Sequence, residues 1–436
     1  MAALTVGLLM VGACLRLLLI NSELRDKLVD RIEISTPLNS WKRAVEGVHL
    51  DIQGISPYSG DTFHESPLAL MLYKLMIQYI GEYVPLLFVI SDVITTVFLM
   101  LGSKKYLLHL VKSEGGKNNQ YPASVSSLLV SAGKMHKIPY YVAVVYLISP
   151  YTVAASVGKS TTVFVNLLIS AVFYFTSAGK LYLATIVLAV ASYHSFYPVM
   201  LIVPMSMYIV QMKYSGNNYK NKKAARIFIQ TIVIFTMSIA ILIIVSYKIM
   251  GSWRFLWSTY GCILSVPDLT PNIGLFWYFF TEMFEHFRIF FLWTFQINAF
   301  IYTLPLAIRL KKEPMLLFYI LLTLMAVFKS YPSISDVGLY LAIMPIWTHL
   351  FLHTRQSFLV GCILFSCSVL APVLWYLWIY AGSANANFYF GISLAFNTGQ
   401  IFLVTDLLFG YIKREYYLSR GMKTDQRGKP VQLELR

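Results

Sequence analysis

Long apolar runs limit what this chain can fold into more than any other feature of its sequence. Runs near the ~20 residues that cross a bilayer as a helix recur from one end of the chain to the other. Only 13% of the residues are charged, about half the share found in a soluble globular domain. No polar stretch is long enough to form a separate soluble domain. We therefore expect an all-α polytopic membrane protein, with residues 1–436 in a single membrane domain.

The apolar runs predict about twelve transmembrane helices. After the first run comes the segment 67–80, which is only 14 residues long and contains Lys74 and Gln78. It is short for a span, so we expect a lumenal interfacial helix or a re-entrant helix there. The predicted spans are 3–20, 84–102, 138–156, 160–177, 180–195, 197–212, 227–250, 287–308, 314–329, 334–352, 356–379 and 389–412.

The basic residues predict how the chain is oriented in the membrane. The formal net charge is +15, and the lysines and arginines concentrate in short loops between apolar runs. This is the positive-inside pattern of cytoplasmic loops, so we do not expect nucleic-acid binding. Both termini are then cytosolic. The predicted cytosolic segments are the loops 103–137, 213–226 and 308–313 and the tail 413–436, and the predicted lumenal segments are 21–83, 251–286 and 380–388.

A few charged residues lie within or beside the predicted spans. They are Asp92, Lys159, Asp336 and Asp406. A charge at membrane depth is costly unless it is paired or faces a cavity. These four are too scattered to resemble a proton relay, so we favour pairs that pack helices together over a transport pathway.

The lumenal stretch 265–287 reads SVPDLTPNIGLFWYFFTEMFEHF. Its first part places Asp268 and Asn272 among prolines and a glycine, which is typical of a shaped turn. Its second part has aromatic residues, including Phe280, at near-helical spacing. Trp277 suits the headgroup level of a membrane, where amphipathic rings lie.

Two glutamates and a histidine close this stretch within about one helical turn. They are Glu282, Glu285 and His286. Such a group could act as acid and base or hold a metal ion, but the spacing matches no strong metal motif and further zinc ligands are not evident. The alternatives are a stripe that contacts lipid or a partner, which we favour, and the plain start of a membrane helix.

The lumenal stretch 375–400 reads WYLWIYAGSANANFYFGISLAFNTGQ. Its aromatic residues flank Ser383, Asn385 and Asn387. An asparagine side chain offers both a donor and an acceptor, which suits phosphate, sugar hydroxyl or amide groups. A tight turn also requires glycine, serine and asparagine, so ligand contact and turn formation both remain open.

Membrane glycosyltransferases with dolichol-linked donors use a catalytic acid pair in their first lumenal segment. Residues 49–68 of this chain read HLDIQGISPYSGDTFHESPL and supply Asp51, Asp61, His64 and Glu65. No Asp-x-Asp, Glu-x-Asp or Asp-Glu pair occurs between residues 21 and 60. This argues against catalysis, although a single aspartate could still act as a base.

Several short segments together make the chain resemble the PIG-U family, which is subunit U of the GPI transamidase. The resemblance covers nearly the whole chain. The segments that carry it are TPLNSWKR at 36–43, SPYSG at 56–60, FHESPL at 63–68, the stretch 265–287, FKSYP at 328–332 and LWIYAGSANANF at 377–388.

This resemblance implies a non-catalytic subunit of an endoplasmic-reticulum complex that attaches preassembled GPI to protein C-termini. A separate caspase-like cysteine protease subunit would cleave the C-terminal signal of the substrate and form the new amide. The implied role of this chain is to recognise and position the GPI lipid among membrane phospholipids. The implied protein partners are the caspase-like, T, S and GPAA-type subunits, and no cofactor is expected.

A second resemblance concerns the scaffold. The segments SPYSGDTFHESPL, SPYTVAASVGKSTT and SYHSFYPV resemble those of GPI mannosyltransferase I, a GT-C enzyme. That family has an Asp-x-Asp-type motif upstream, where this chain has Arg31-Ile32-Glu33 or Glu33-Ile34-Ser35. The departure implies a GT-C-like scaffold that keeps a glycolipid cavity without the catalytic pair. The alternative is an active dolichol-phosphate-dependent GT-C mannosyltransferase whose activity depends on Asp51 or Asp61.

We therefore predict that the lumenal segments bind GPI, with acyl chains on aromatic and aliphatic helix surfaces and polar groups facing the phospho-glycan. No catalytic residue and no metal ligand is expected. The predicted GPI- or lipid-binding residues are Ser383, Asn385, Asn387, Asp268, Asn272, Trp277, Phe280, Glu282 and His286.

Overall fold

The described chain is built from helices. A computed structural model describes residues 2–116, 121–130, 132–214 and 222–422, which contain helices and turns but no β-strand. The all-α prediction is confirmed. Parts of the predicted basic loops 103–137 and 213–226, and most of the predicted tail 413–436, lie outside the described residues.

The chain forms two compact units. The first contains Met1–Gly102 and Ala143–Ile343, and the second contains Ser103–Val142 and Met344–Arg436. The single membrane domain and its lumenal and cytosolic segments stay predictions.

Prolines begin three helices of the first unit. Pro67, Pro150 and Pro314 each occupy the first turn, where the fixed φ and the missing N–H of proline are tolerated. The helices of this unit are Ala2–Ile20, Leu24–Val29, Trp41–Ile52, Pro67–Leu75, Val84–Gly115 as far as Gly102, Ile138–Ile148 from Ala143, Pro150–Val157, Thr162–Ser177, Leu181–Ser195, Ile202–Tyr214, Lys222–Met250, Arg254–Leu256, Cys262–Ser265, Phe276–Glu282, Glu285–Ile301, Thr303–Arg309, Pro314–Phe328 and Ile334–Ile343.

The core of the first unit lies between closely packed apolar helices. Thr162–Ser177 packs along Leu181–Ser195, which in turn packs on Lys222–Met250. Pro314–Phe328 is buried on all sides as far as Val327. A helix that is apolar all round needs such enclosure, so this helix forms the centre of the unit.

Two charged residues of the predicted spans in this unit have ion-pair partners. The guanidinium of Arg16 lies 2.6 Å from a carboxylate oxygen of Asp92, and both side chains are fully buried. The ammonium of Lys329 lies 2.5 Å from a carboxylate oxygen of Asp336. Because each pair joins different helices or loops, both pairs fit the expected packing role better than a transport role.

A helical hairpin dominates the second unit. Its two arms, Ser357–Ile379 and Ala386–Arg420, pack along each other. The carboxylate of Asp406 accepts the backbone N–H groups of Arg355 and Gln356 at 2.7 and 3.0 Å, which caps the start of the first arm. The helices of this unit are Val84–Gly115 from Ser103, Ala132–Met135, Ile138–Ile148 as far as Val142, Thr348–Phe351, Ser357–Ile379 and Ala386–Arg420.

Among the described residues, seven helices are long and apolar enough to cross a membrane, or eight if the bent pair Ile138–Ile148 and Pro150–Val157 is one span. The prediction of a polytopic membrane protein is confirmed, whereas the number of about twelve spans stays a prediction. Helix Pro67–Leu75 continues as a π-helix over Met76–Ile80, and Gly81, at φ 56°, marks the junction with the next long helix. The seven helices are Ala3–Ile20, Pro67–Gly115, Lys222–Met250, Glu285–Arg309, Ile334–Phe351, Ser357–Ile379 and Ala386–Arg420.

Candidate functional site

A polar cleft opens among helix ends in the first unit. Its volume is about 50 Å³, which is space for only a few water-sized groups. Most of its side chains carry a hydroxyl, amide, imidazole, amine or carboxyl group. The residues that line the polar cleft are Thr36, Leu38, Asn39, His64, Glu65, Thr161, Thr162, Val165, His194, Ser195, Tyr197, Thr259, Tyr260, Ile263, Lys329 and Tyr331.

Five of the segments that carry the family resemblances meet at this cleft. Segments 36–43, 63–68, 149–162, 192–199 and 328–332 each contribute at least one lining side chain. None of the nine predicted binding residues lines it. The sequence therefore points to the segments but not to the site, and the signal that could have located it is that these segments carry the two family resemblances.

Glu65 is the buried acid of the polar cleft. Its side-chain carboxylate accepts a 2.5 Å hydrogen bond from the Tyr73 hydroxyl and lies 3.4 Å from Nε2 of His194. Burial raises the pKa of Glu65 to about 7, and the hydrogen bonds from Tyr73 and Thr161 offset only part of this effect. A carboxyl group that titrates near neutral pH in a cleft marks a candidate functional site.

Hydrogen bonds hold the polar lining in place. The amide nitrogen of Asn39 donates to the Thr162 hydroxyl at 2.7 Å, and the amide oxygen of Asn39 accepts the backbone N–H of Thr36 at 2.5 Å. On another wall, Tyr197 donates to the side-chain oxygen of Gln296 at 3.0 Å. The cleft is therefore preorganised and not merely a gap between helices.

The raised pKa of Glu65 predicts how stability changes with pH. The folded protein keeps the proton up to about pH 7, whereas the unfolded chain releases it above about pH 4.5. Stability is therefore lost as pH rises between these values. We expect the free energy of unfolding of Glu65→Gln to exceed that of wild type by about 1 kcal/mol at pH 5 and by about 3 kcal/mol at pH 8.

Thermal unfolding of the two proteins in detergent at both pH values measures this difference. His194 and Tyr73 face Glu65 and are present in both proteins, so the comparison changes only the acid between them. Glu285→Gln is the matched control, because the Glu285 side chain is 86% exposed. A Glu65→Gln effect that is the same at both pH values would contradict the raised pKa.

The predicted residues Asp268 and Asn272 lie in the loop before helix Phe276–Glu282. Burial raises the pKa of Asp268, but hydrogen bonds from Thr270 and Arg43 outweigh burial and lower it overall. Arg43 reaches the Asp268 carboxylate at 2.8 Å. The Asn272 side chain is 1% exposed, and it accepts the Gly274 N–H and donates to the Thr270 carbonyl. Both side chains therefore shape this loop.

The aromatic part of this stretch faces inward. Trp277 and Phe280 are each only 3% exposed, and the Phe280 ring lies 5.5 Å from that of Phe295. Glu282 and His286 are exposed. They lie on separate helices, because Met283 is extended between Phe276–Glu282 and Glu285–Ile301.

The predicted residues of the second unit lie where its helical hairpin turns, with Ser383 and Asn385 between the two arms and Asn387 in the first turn of the second arm. Ser383, Asn385 and Asn387 are all exposed. The Asn385 side chain accepts the backbone N–H of Asn387 at 3.1 Å and so caps the second arm. Asn385 and Asn387 border an open concave surface of about 560 Å³, which we call the asparagine pocket. Its other lining residues are Leu374, Phe388, Gly391 and Ile392.

The acids that a mannosyltransferase would use lie outside the polar cleft. Asp51 is paired with Lys74 at 2.6 Å, and Asp61 is exposed. Within the described ranges, no group of three or more His, Cys, Asp or Glu side chains is placed to hold a metal ion. Of Asp51, Asp61 and Glu65, only Glu65 is a buried carboxylate, and the lining of the polar cleft contains no acid pair.

Known proteins resemble this chain along most of its length. The family profile described as GPI transamidase subunit PIG-U matches residues 10–396. The GPI-anchor transamidase component PIGU of Homo sapiens is 43% identical over 424 residues, which is 97% of each chain. The GPI transamidase component GAB1 homolog of Schizosaccharomyces pombe is 31% identical over 411 residues, or 94% of each chain. GPI mannosyltransferase 1 of Dictyostelium discoideum is 25% identical over 244 residues, 52% of this chain and 48% of that protein.

The fold and the cleft define a polytopic α-helical membrane protein with a preorganised polar cleft among its helix ends. The matches above extend over nearly the whole chain and include every segment that carries the PIG-U resemblance. This chain belongs to the family of GPI transamidase subunit PIG-U. The predicted resemblance is confirmed, and the partial match to a GPI mannosyltransferase agrees with the second resemblance.

Proposed function

We propose that this chain is the subunit that recognises and positions the GPI lipid in the GPI transamidase. Its family membership makes it a component of that complex. In the proposed role it has no catalytic residue, and a caspase-like cysteine protease subunit performs the chemistry. The proposed complex resides in the endoplasmic-reticulum membrane, includes T, S and GPAA-type subunits, and leaves both termini of this chain in the cytosol.

The asparagine pocket is the observation that carries this proposal. It combines two polar side chains, Asn385 and Asn387, with the apolar surfaces of Leu374, Phe388 and Ile392. A glycolipid presents the same combination, because a polar head adjoins its acyl chains. Asparagine amides can donate to and accept from phosphate or sugar oxygens, while the apolar side chains cover the start of the lipid tail.

The other predicted residues have supporting roles in this proposal. Ser383 lies two residues before Asn385, between the two arms of the helical hairpin. Asp268 and Asn272 hold a loop, and Trp277 and Phe280 hold the aromatic helix against the core of the first unit. The exposed Glu282 and His286 are available to contact lipid or another subunit.

The proposal is tested by changing the two asparagines that border the pocket. In cells that lack the endogenous subunit, the double variant Asn385→Leu and Asn387→Leu should reduce surface display of a GPI-anchored reporter by about tenfold, because each lost hydrogen bond to a phosphate costs about 1 kcal/mol or more. Co-purification of the other subunits should be unchanged, since both side chains are exposed.

Asn21→Leu is the matched control, because Asn21 is an exposed asparagine of the first unit. It should display the reporter at the wild-type level. Wild-type display by the double variant would reject the role of Asn385 and Asn387. Loss of both display and co-purification would show that the asparagines support assembly and not lipid positioning.

A further inference from the structure

The polar cleft of the first unit contains a buried acid whose ionised form is poorly balanced. Glu65 is only 6% exposed. Among the ion pairs of the described residues, its one partner is His194, whose imidazole is 3.4 Å away and carries a charge only when protonated. A buried carboxylate without a firm cationic partner is costly, so a cationic ligand in the cleft would stabilise it.

The nearby amine does not remove this imbalance. Lys329 lines the cleft, but its ammonium lies 2.5 Å from the Asp336 carboxylate. The Asp336 carboxylate also accepts the Ser333 N–H at 2.9 Å, which fixes its position. This lysine is therefore neutralised by its own partner, and Glu65 remains the acid that faces the open space.

We propose that the polar cleft binds the primary ammonium group of a lipid or glycan headgroup, with the Glu65 carboxylate as its counter-ion. A primary ammonium has three N–H donors, and one carboxylate cannot accept all of them. The hydroxyl groups of Thr161, Ser195 and Tyr260 line the same cleft and can accept the others. Phosphate fits this site less well, because the carboxylate would repel it.

The size of the cleft sets which part of a ligand enters. A volume of about 50 Å³ admits an ammonium group and the carbons next to it, but not a whole sugar chain or an acyl tail. The site would therefore bind the terminal ammonium group of a headgroup. This inference does not rest on the proposed role of Asn385 and Asn387, which lie in the second unit.

Backbone strain next to the cleft gives a separate reason to assign it a function. Among the described residues, the non-glycine residues with positive φ are Lys159, Phe196 and Val266, at 54°, 62° and 48°. Lys159 is two residues before a lining threonine, Phe196 lies between two lining residues, and Val266 is three residues after the lining Ile263. Such conformations cost about 1–3 kcal/mol each and concentrate at functional sites.

Competitive lipid retention tests the proposal. The purified full-length protein would be incubated in detergent with equal amounts of phosphatidylethanolamine and phosphatidylcholine that carry the same acyl chains, and bound lipid would be measured by native mass spectrometry. Phosphatidylcholine has a quaternary ammonium without N–H donors. We expect wild type to retain phosphatidylethanolamine by about tenfold over phosphatidylcholine, since a charge-assisted hydrogen bond contributes about 1.5 kcal/mol or more.

Glu65→Gln should lower this ratio to about one while keeping an acceptor for the Tyr73 hydroxyl. Asp61→Asn is the matched control, because Asp61 is exposed in the same loop and outside the cleft lining, and it should keep the wild-type ratio. Equal retention of both lipids by the wild-type protein would by itself overturn the proposal, whatever the variants show. An unchanged preference in folded Glu65→Gln would also overturn it.

A soluble competitor distinguishes the two sources of the ammonium group. If free glucosamine displaces the bound phosphatidylethanolamine, the cleft accepts a glycan-type amine that approaches from water. If it does not, while the lipid preference depends on Glu65, the ligand is the headgroup of a bilayer lipid. Both results support an ammonium site, and GPI attachment in the asparagine variants is measured separately.

Discussion

Replacing Asp92 with leucine is expected to destabilise the protein by about 3–5 kcal/mol, because the change leaves a buried charge without its partner. Arg16 is completely buried, and its guanidinium is 2.6 Å from Asp92. Arg16 also donates to the carbonyl of Leu147 at 2.8 Å, but a carbonyl cannot neutralise a charge. Thermal unfolding in detergent, or resistance to a denaturing detergent, measures the loss.

A double-mutant cycle separates the loss of the pair from the burial of one charge. Arg16→Met should also destabilise, since among the described residues it leaves the Asp92 carboxylate with the Tyr146 hydroxyl, at 2.8 Å, as its hydrogen-bond donor. The double variant Arg16→Met and Asp92→Leu should recover most of the stability, because apolar residues can replace a buried pair at little net cost. If the double variant is as unstable as the sum of the single variants, the pair does not act as a unit.

The sequence predicts that this ion pair exists, but it does not predict which residues form it. A charge in a membrane span predicts a partner, and Asp92 has one. The sequence does not identify Arg16, because the two residues are 76 positions apart and any of several basic residues could serve. Selecting the partner requires knowing which helices are adjacent, and that depends on how the whole apolar surface packs.

The sequence predicts that a helix is present more easily than it predicts where the helix ends. The apolar runs indicate most of the long helices within a few residues, since a span needs a minimum apolar length. The aromatic spacing in 265–287 suggests one helix, yet Met283 at ψ 142° divides it. Short-range spacing cannot reveal this break, because both sides of it bury aromatic rings against the same core cluster around Phe295.

The asparagine pocket can be predicted from the sequence more easily than the polar cleft can. Asn385 and Asn387 are near in sequence, so their pairing beside aromatic residues can be read directly. The polar cleft joins Glu65, His194 and Lys329 from distant segments, and their separate spacing gives no motif. Only the fact that these segments carry the two family resemblances indicates that they belong together.

Glu114→Gln is expected to destabilise the second unit by about 3 kcal/mol or more, since it leaves Arg414 buried without a counter-charge. The two side chains are 8% and 7% exposed, and the guanidinium lies 2.7 Å from the carboxylate. The other carboxylate oxygen of Glu114 accepts the backbone N–H of Val130 at 2.9 Å, and Arg414 donates to the Leu128 carbonyl at 3.2 Å. This pair therefore anchors the loop that ends near residue 130.

Limited trypsin digestion of the purified protein measures this anchoring, because Lys137 is exposed shortly after the loop. Cleavage there should be faster in Glu114→Gln than in wild type, and the apparent melting temperature should fall. Glu285→Gln is the control, since that glutamate is 86% exposed and its removal costs little. Faster cleavage in both variants would point to a general effect of charge on digestion. Faster cleavage in Glu114→Gln alone requires that the buried pair hold the loop, because only there does the lost carboxylate leave a cation enclosed in protein.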